Sequence, residues 1–261
     1  MDKRVVLPWV ASISAAAGAV ASPAPLPDCA GPVEISDAHI ARVERSNDLL
    51  VLRDGRAVHL EGVRFPHAGQ DRAPAFVADQ AFDALNGMAK GRELSVTALA
   101  PKEDRYDRVR GQVFGADWLQ RALLRAGQAR VDIAPDRSEC AAELYAAEAE
   151  ARAASRGLWA QPAYALRTPD ALAADTGTFQ VVQGTVLSAD VKSGRAYLDF
   201  GADYKTDFTV TVAPEDMANF RSHDLDPRDY AGKTVRVRGI VQSFNGPEIE
   251  IASPDQIEVV P

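Results

Sequence analysis

The sequence contains only two cysteines, Cys29 and Cys140, among its 261 residues. Neither belongs to a Cys-x-x-Cys pair or a Cys/His cluster, which argues against a structural zinc site. In an oxidising compartment the two would pair and join the N-terminal arm to the first domain. The alternative is two free thiols, with Cys140 buried on a predicted helix.

Long apolar runs are also scarce. The stretch from Val5 to Val20 is mostly apolar but short for a membrane span, and no other segment approaches the required length. Lys3 and Arg4 precede this stretch, and the small residues of a cleavage site end it at Ala21. We therefore expect residues 1–21 to be a signal peptide, the mature protein to be periplasmic or secreted, and no membrane contact after cleavage. The alternative is an uncleaved anchor.

Positive charge is scarce in the last third of the chain. Residues 170–261 carry 8 Lys and Arg against 15 Asp and Glu, whereas residues 1–169 carry 21 and 22. Net charges of −7 and −1 follow, and an acidic region is a poor match to a polyphosphate. The last third also lacks the alternating outward aromatic residues on which single-stranded nucleic acids stack. We expect nucleic acid to bind, if anywhere, at the first domain, and a protein partner at the acidic second domain.

Strand and helix signals follow a Pro-rich arm. Two β-rich runs, Leu49–Leu52 and Ala57–Leu60, flank Asp54-Gly55, which is a strong hairpin turn. Further strands are predicted near 94–99 and 109–114. Apolar spacing and stop signals predict three helices, over Pro74–Met88, from Trp118 to Gly127, and from Cys140 to Ala154.

The last third is rich in alternating strand patterns. Val235 and Val237 alternate with arginines, and Asn245-Gly246 supplies a hairpin turn before Ile249 and Ile251. This pattern resembles small OB-fold modules that are often described as nucleic-acid binding. It indicates a fold more strongly than a ligand.

Two segments carry a resemblance to a known family. Ser46–His67 and Asp104–Phe114 resemble the thermonuclease (staphylococcal nuclease-like) family. That family combines an Asp-Gly-Asp-Thr turn, an arginine-bearing strand that ends in an Asp-x-Pro-Glu corner, and an Asp-[Arg/Lys]-Tyr-Gly-Arg turn. Trp118–Gln120 and Arg156–Trp159 also match recurrent sequence motifs of that family. The resemblance covers about residues 38–162.

The resemblance implies a mainly β, α+β protein. Its first domain would be a thermonuclease-type OB barrel with three added helices, followed by a second small OB-like β-barrel. The expected divisions are a signal peptide (1–21), an N-terminal arm (22–37), a thermonuclease-like domain (38–165), a linker (166–178) and an OB-like domain (179–261).

The resemblance also implies catalytic roles for five positions of this sequence. Two of them have the family's residue, and three have a different one. Asp48 matches a calcium-binding aspartate, and Arg108 matches a phosphate-gripping arginine. His59 stands where the family has its other arginine. Arg64 replaces the second calcium-binding aspartate, and His67 replaces the glutamate that is generally assigned as the base. Because calcium takes oxygen ligands, the loss of carboxylates removes much of the site.

We therefore expect a degenerate site and a binding or scaffold function without calcium-dependent nuclease activity. No cofactor is expected, and calcium would bind only if the site still functions. The Arg64 guanidinium would occupy the space of the ion and pair with Asp48, with Arg108 facing the same hollow.

Two alternatives stay open. In the first, the protein is an active phosphodiesterase that hydrolyses DNA or RNA, with His59 and His67 as acid and base and with Arg64 and Arg108 gripping phosphate. In the second, Asp48 and the two histidines hold a transition metal.

Overall fold

The computed structural model describes residues 26–203 and 205–260. The expected signal peptide, residues 1–21, lies outside the described residues. Within the described ranges, no helix combines the length and apolar character that crossing a bilayer requires. Mixed sheets and helices make an α+β fold, which confirms the predicted class.

The first module comprises strands β1–β7 and helices α1–α4. Its strands are β1 (Val33–Glu44), β2 (Leu49–Leu52), β3 (Ala57–Leu60), β4 (Gly62–Arg64), β5 (Glu93–Thr97), β6 (Val109–Phe114) and β7 (Arg130–Asp132). Its helices are α1 (Ala68–Asp71), α2 (Ala75–Ala89), α3 (Leu119–Arg125) and α4 (Ala141–Ala153).

Five strands of the first module close into a barrel in the order β1-β2-β3-β6-β5. The predicted hairpin joins β2 to β3, and Gly55 takes the left-handed backbone (φ 93°) that its turn requires. In the antiparallel register Leu49 lies opposite His59, so the residue before β2, Asp48, comes near β3. In the parallel register of β3 and β6, His59 lies opposite Arg110. The barrel thus gathers polar residues from three separate segments.

Helix α2 packs on the barrel through one apolar stripe. The buried residues recur at helical spacing, and Phe82 stacks on Phe65 with 5.1 Å between ring centroids. Each fully buried large apolar side chain contributes about 1.5–3 kcal/mol. The buried residues of the stripe are Val77, Ala81, Phe82, Leu85 and Ala89.

The barrel begins earlier than the sequence indicated. Strand β1 starts at Val33, inside the segment predicted to be an arm, and Ile35 is already buried in the core. Register irregularities between Ile35 and Ala38 break the simple alternation, which hid the strand in the sequence. A disulfide joins Cys29 to Cys140 and fastens the preceding residues to the start of α4.

The second module comprises β8–β15 and helix α5 (Met217–Ser222). Its strands form two sheets around one shared core, in the orders β13-β14-β11-β10-β9 and β15-β12-β8. The strands are β8 (Phe179–Thr185), β9 (Ser188–Lys192), β10 (Arg195–Asp199), β11 (Thr209–Val212), β12 (Thr234–Ile240), β13 (Gln242–Ser243), β14 (Pro247–Glu250) and β15 (Ile257–Val259).

The second module is the expected additional β domain, with its strands divided between two sheets rather than joined in one closed barrel. Strands β12 and β14 pass close together without pairing, and a Cβ built on Gly239 would lie 2.6 Å from the Ile249 side chain. The predicted turn is present, since Asn245 (φ 51°) and Gly246 (φ 99°) both take left-handed backbone between β13 and β14.

The expected linker, residues 166–178, is packed rather than free. Leu172 is fully buried in the core of the second module, and Arg167 pairs with Asp175 at 2.8 Å. One buried apolar residue creates no period, so sequence pattern alone gave no sign of this packing.

Two buried arginines join the modules. Arg238, on β12, donates to both carboxylate oxygens of Glu148, on α4, at 3.1 Å, and both side chains are 0% exposed. Arg130, on β7, donates to Asp71 at 3.1 Å and to the carbonyl of Phe179 at 2.7 Å. The modules therefore share a hydrogen-bonded ionic interface.

Candidate active site

A cavity of about 630 Å³ lies against β3, β4 and the loop before β6. Four of the five predicted site residues line it, namely Asp48, His59, Arg64 and Arg108. The fifth, His67, lies behind Asp48 and lines a separate hollow of about 420 Å³. The other polar residues around the cavity are Glu61, Glu103, Asp104, Arg105, Tyr106, Arg110 and Asp132.

Asp48 and His67 form the pair at the back of the cavity. Asp48 takes left-handed backbone (φ 56°) at the end of the turn before β2. His67 Nε2 lies 2.9 Å from one carboxylate oxygen of Asp48 and 3.1 Å from the other. The backbone N–H of His67 donates to Asp71 at 3.0 Å, which holds the corner in place. Burial raises the pKa of Asp48, and the hydrogen bond and charge of His67 oppose that rise.

Arg64 does not pair with Asp48, so that expectation is wrong. Its Nη2 donates to Gln70 at 3.2 Å, and its Nη1 lies 3.9 Å from the nearer oxygen of Asp132. Its guanidinium also stacks over the ring of Phe179, 5.1 Å from the centroid. The cause is the pairing of β4 with β7, which carries Arg64 toward β7 and the second module.

His59 belongs to a network that the sequence did not reveal. Its Nδ1 lies 3.1 Å from Glu61, and the same carboxylate accepts from Arg110 Nε at 2.8 Å. Arg110 also donates to Asp136 at 2.6 and 3.0 Å. Burial would raise the pKa of Glu61, but hydrogen bonds from His59 and Arg110 outweigh it and lower the pKa. The only sequence signal was the i, i+2 spacing of His59 and Glu61, which puts them on one side of an extended chain.

Arg108 faces the cavity as expected, on a loop built around Asp104. Asp104 accepts from Arg108 Nε at 2.6 Å and from the backbone N–H of Tyr106 at 2.8 Å. The guanidinium carbons of Arg105 and Arg108 lie 4.8 and 4.9 Å from the centroid of the Tyr106 ring. Asp107 takes the left-handed backbone (φ 58°) at the position where the family motif has glycine.

The residues around the cavity do not fit calcium. Calcium takes about six to eight oxygen ligands, whereas both oxygens of Asp48 are engaged by His67. Among the His, Cys, Asp and Glu side chains that the structure describes, only Cys29, Cys140 and Glu143 bring three possible ligand atoms close enough for one ion, and those sulfurs form a disulfide. The transition-metal alternative meets a similar obstacle, since Asp48 and His67 engage each other, and the described Asp48, His59 and His67 do not bring three ligand atoms close enough for one ion.

The cavity is close to electrically balanced. Five carboxylates and four arginines line it, and two of these arginines, Arg108 and Arg110, donate to lining carboxylates. The lining therefore carries no net positive charge with which to grip a phosphate. The charged residues of the lining are Asp48, Glu61, Glu103, Asp104 and Asp132 against Arg64, Arg105, Arg108 and Arg110.

Comparison with known proteins identifies the first module. No curated protein sequence matches the chain. Residues 57–161 match the staphylococcal nuclease homologue family, a range that includes His59, Arg64, His67 and Arg108. The chain therefore carries a staphylococcal nuclease homologue domain over residues 57–161.

Proposed function

We propose that this protein is an exported member of the thermonuclease family that does not cleave nucleic acids with calcium and acts as a binding or scaffold module. The observation that carries the proposal is the pairing of Asp48 with His67. The carboxylate that matches a family calcium ligand is held by a side chain that stands in place of the family base.

Charge at the second family carboxylate position supports the same proposal. Arg64 replaces an aspartate there, a change of two charge units in a cavity meant for a divalent cation. At an effective dielectric constant near 20, two unit charges at about 4 Å interact by roughly 4 kcal/mol. A cation in this cavity would meet that repulsion and would also have to displace His67 from Asp48.

Export is supported by the disulfide between Cys29 and Cys140. Disulfides persist in the periplasm and outside the cell, whereas cytosolic thiols are kept reduced. N-terminal sequencing of the mature protein tests this part of the proposal, and we expect the chain to begin at Ser22. A mature protein that retains Lys3 and Arg4 would contradict signal cleavage.

The central experiment is a cleavage assay on mature protein, residues 22–261. Single-stranded DNA and RNA are each incubated with the protein in calcium and in a calcium chelator. We expect no calcium-stimulated cleavage of either substrate. Calcium-stimulated cleavage that is lost in Asp48→Ala would overturn the proposal.

One observation favours a second function, chelator-insensitive phosphodiester hydrolysis. His59 lies within hydrogen-bonding distance of Glu61 and lines the same cavity as Arg108. A general base needs such a position, with a partner that orients its ring and access to the substrate. His67, which this function would use as its second catalytic histidine, lines the separate hollow of about 420 Å³ instead. This function predicts cleavage in chelator that is lost in His59→Ala or His67→Ala, and no cleavage in chelator would remove it.

A further inference from the structure

A second hollow, of about 260 Å³, adjoins the cavity and is distinct from the hollow that His67 lines. Its lining includes Arg64 and Asp132, which also line the cavity of about 630 Å³. We call the two hollows together the composite groove, because these shared residues connect them across both modules. The second hollow is completed by Phe179, Gly239, Ile240, Gln242, Glu250 and Gln256.

The junction of the composite groove contains polar groups that lack hydrogen-bond partners. Arg64 Nε is buried and unpartnered. The Asp132 carboxylate, 35% exposed, accepts no hydrogen bond from the described residues, and its ion-pair contact with Arg64 is 3.9 Å long. The buried, unpartnered N–H of Arg64 costs free energy. A ligand that offers a donor to Asp132 beside an acceptor for Arg64 would satisfy both.

The two ends of the composite groove differ in chemistry. At one end lie Arg105, which makes no ion pair with a described carboxylate, and Tyr106, which is 61% exposed. At the other end lies Ile240, 42% exposed, which lines the second hollow together with Gln242. One end thus suits an acidic group, and the other suits an apolar one.

We propose that the composite groove binds an extended polypeptide segment of a protein partner, acidic toward Arg105 and apolar toward Ile240. In an extended chain the N–H and the C=O of one residue point to the same side, so a single residue can offer a donor to Asp132 and an acceptor to Arg64. A nucleic-acid backbone offers phosphate acceptors and would face both Asp132 and Glu250. The inference rests on the proposed binding function and names its ligand class.

Labelled synthetic peptides test the proposal by fluorescence anisotropy on the mature protein. Each ten-residue probe has Asp and Glu at one end and Leu and Phe at the other, in both orders, with glycine spacers of varied length. A fully extended probe reaches about 33–36 Å. Matched probes carry Lys in place of the acidic residues, and a ten-nucleotide oligothymidylate represents nucleic acid. We expect an acidic–apolar peptide to bind at least about tenfold more tightly than its Lys counterpart and the oligonucleotide.

Four exposed substitutions locate the binding. Arg105→Gln and Ile240→Ser, at the two ends of the groove, should each weaken peptide binding by about fivefold or more. Arg53→Gln and Leu187→Ser are the matched controls, since both residues are exposed and neither lines the groove. These controls should leave binding unchanged.

Three results would overturn the inference. They are no peptide binding up to about 1 mM, tighter binding of the oligonucleotide, or peptide binding that the groove variants do not weaken. The cleavage assay is independent of this one. Calcium-stimulated cleavage lost in Asp48→Ala would defeat the proposed function even with peptide bound, whereas absent peptide binding with no cleavage would defeat this inference alone.

Discussion

At the scale of single residues, the degenerate site makes Asp48 a structural partner of His67. The side chain of Asp48 is only 20% exposed, and its removal leaves the ring of His67 without its acceptor. We expect Asp48→Ala to reduce the free energy of unfolding by about 1–3 kcal/mol in urea titrations. Asp54→Ala is the control, because Asp54 belongs to an exposed pair with Arg56 and should cost less than about 1 kcal/mol. Equal losses in the two variants would contradict a structural role for Asp48.

The same residues determine how the protein responds to calcium. A ligand that does not bind the native state cannot raise its melting temperature. We expect equal melting temperatures in calcium and in chelator, measured by differential scanning fluorimetry. A rise in melting temperature that depends on calcium concentration and disappears in Asp48→Ala would show that the cavity binds the ion.

Glu61 should make the free energy of unfolding depend on pH. Its pKa in the folded protein lies below the ordinary value of 4.5, despite burial, because His59 and Arg110 donate to it. Its stabilising contribution is therefore complete above pH 4.5 and is lost as the pH falls through the folded pKa. We expect Glu61→Gln to lower the free energy of unfolding at pH 7, with the difference from wild type shrinking below pH 4.5. Glu93→Gln, an exposed control, should show no such convergence, and a difference that stays constant down to pH 3 would refute the role of Glu61.

At the scale of elements, the turns and helices that depend on neighbouring residues were predicted from the sequence, whereas features that depend on long-range strand pairing were not. Turns at Asp54-Gly55 and Asn245-Gly246 depend on a few neighbouring residues, so the sequence predicted both. Helix α2 was likewise predicted within about one residue at each end, because its apolar spacing is local. By contrast, the irregular register of β1 with β5 hid a strand that begins at Val33.

The site follows the same division. Motif matching found four of the residues that line the cavity, but the direction of Arg64 depends on pairing between β4 and β7, which are distant in sequence. The contact of Glu61 with Arg110 depends on the parallel pairing of β3 with β6. Both arrangements depend on pairing between strands that are far apart in the sequence, so the sequence alone did not predict them.

Helix α4 has its own test, because the disulfide fastens Cys140, the residue before the helix, to Cys29, which precedes β1. Cys29 and Cys140 are separated by 111 residues, and closing so long a loop restricts the unfolded chain. We expect the double substitution Cys29→Ser, Cys140→Ser to lower the free energy of unfolding by about 2–5 kcal/mol. Wild type in excess reductant should fall to the level of the double variant, while the variant itself should not respond to reductant. A variant as stable as the oxidised wild type would show that the link contributes nothing.

At the scale of the whole molecule, the two modules are joined by buried charge rather than by a flexible linker. Arg238 contacts Glu148, the carbonyl of Val131 and Glu258, so it links the second module to α4 and β7 of the first. Removing one member of a buried ion pair leaves its partner uncompensated. The modules should therefore unfold together, and damage at this interface should reach both.

We expect wild type to unfold in one transition, and Arg238→Met to lower the free energy of unfolding by about 3–5 kcal/mol. Fluorescence of Trp118 and Trp159 reports the first module, and far-ultraviolet circular dichroism reports both. Arg228→Met is the matched control in the same module, since Arg228 is 62% exposed in its pair with Asp226 and should cost less than about 1 kcal/mol. Because Arg238 lies in the second module, an early shift of the tryptophan signal in Arg238→Met would demonstrate coupling across the interface. Separate transitions for the two signals in wild type would mean that the modules fold independently, despite the buried arginine that joins them.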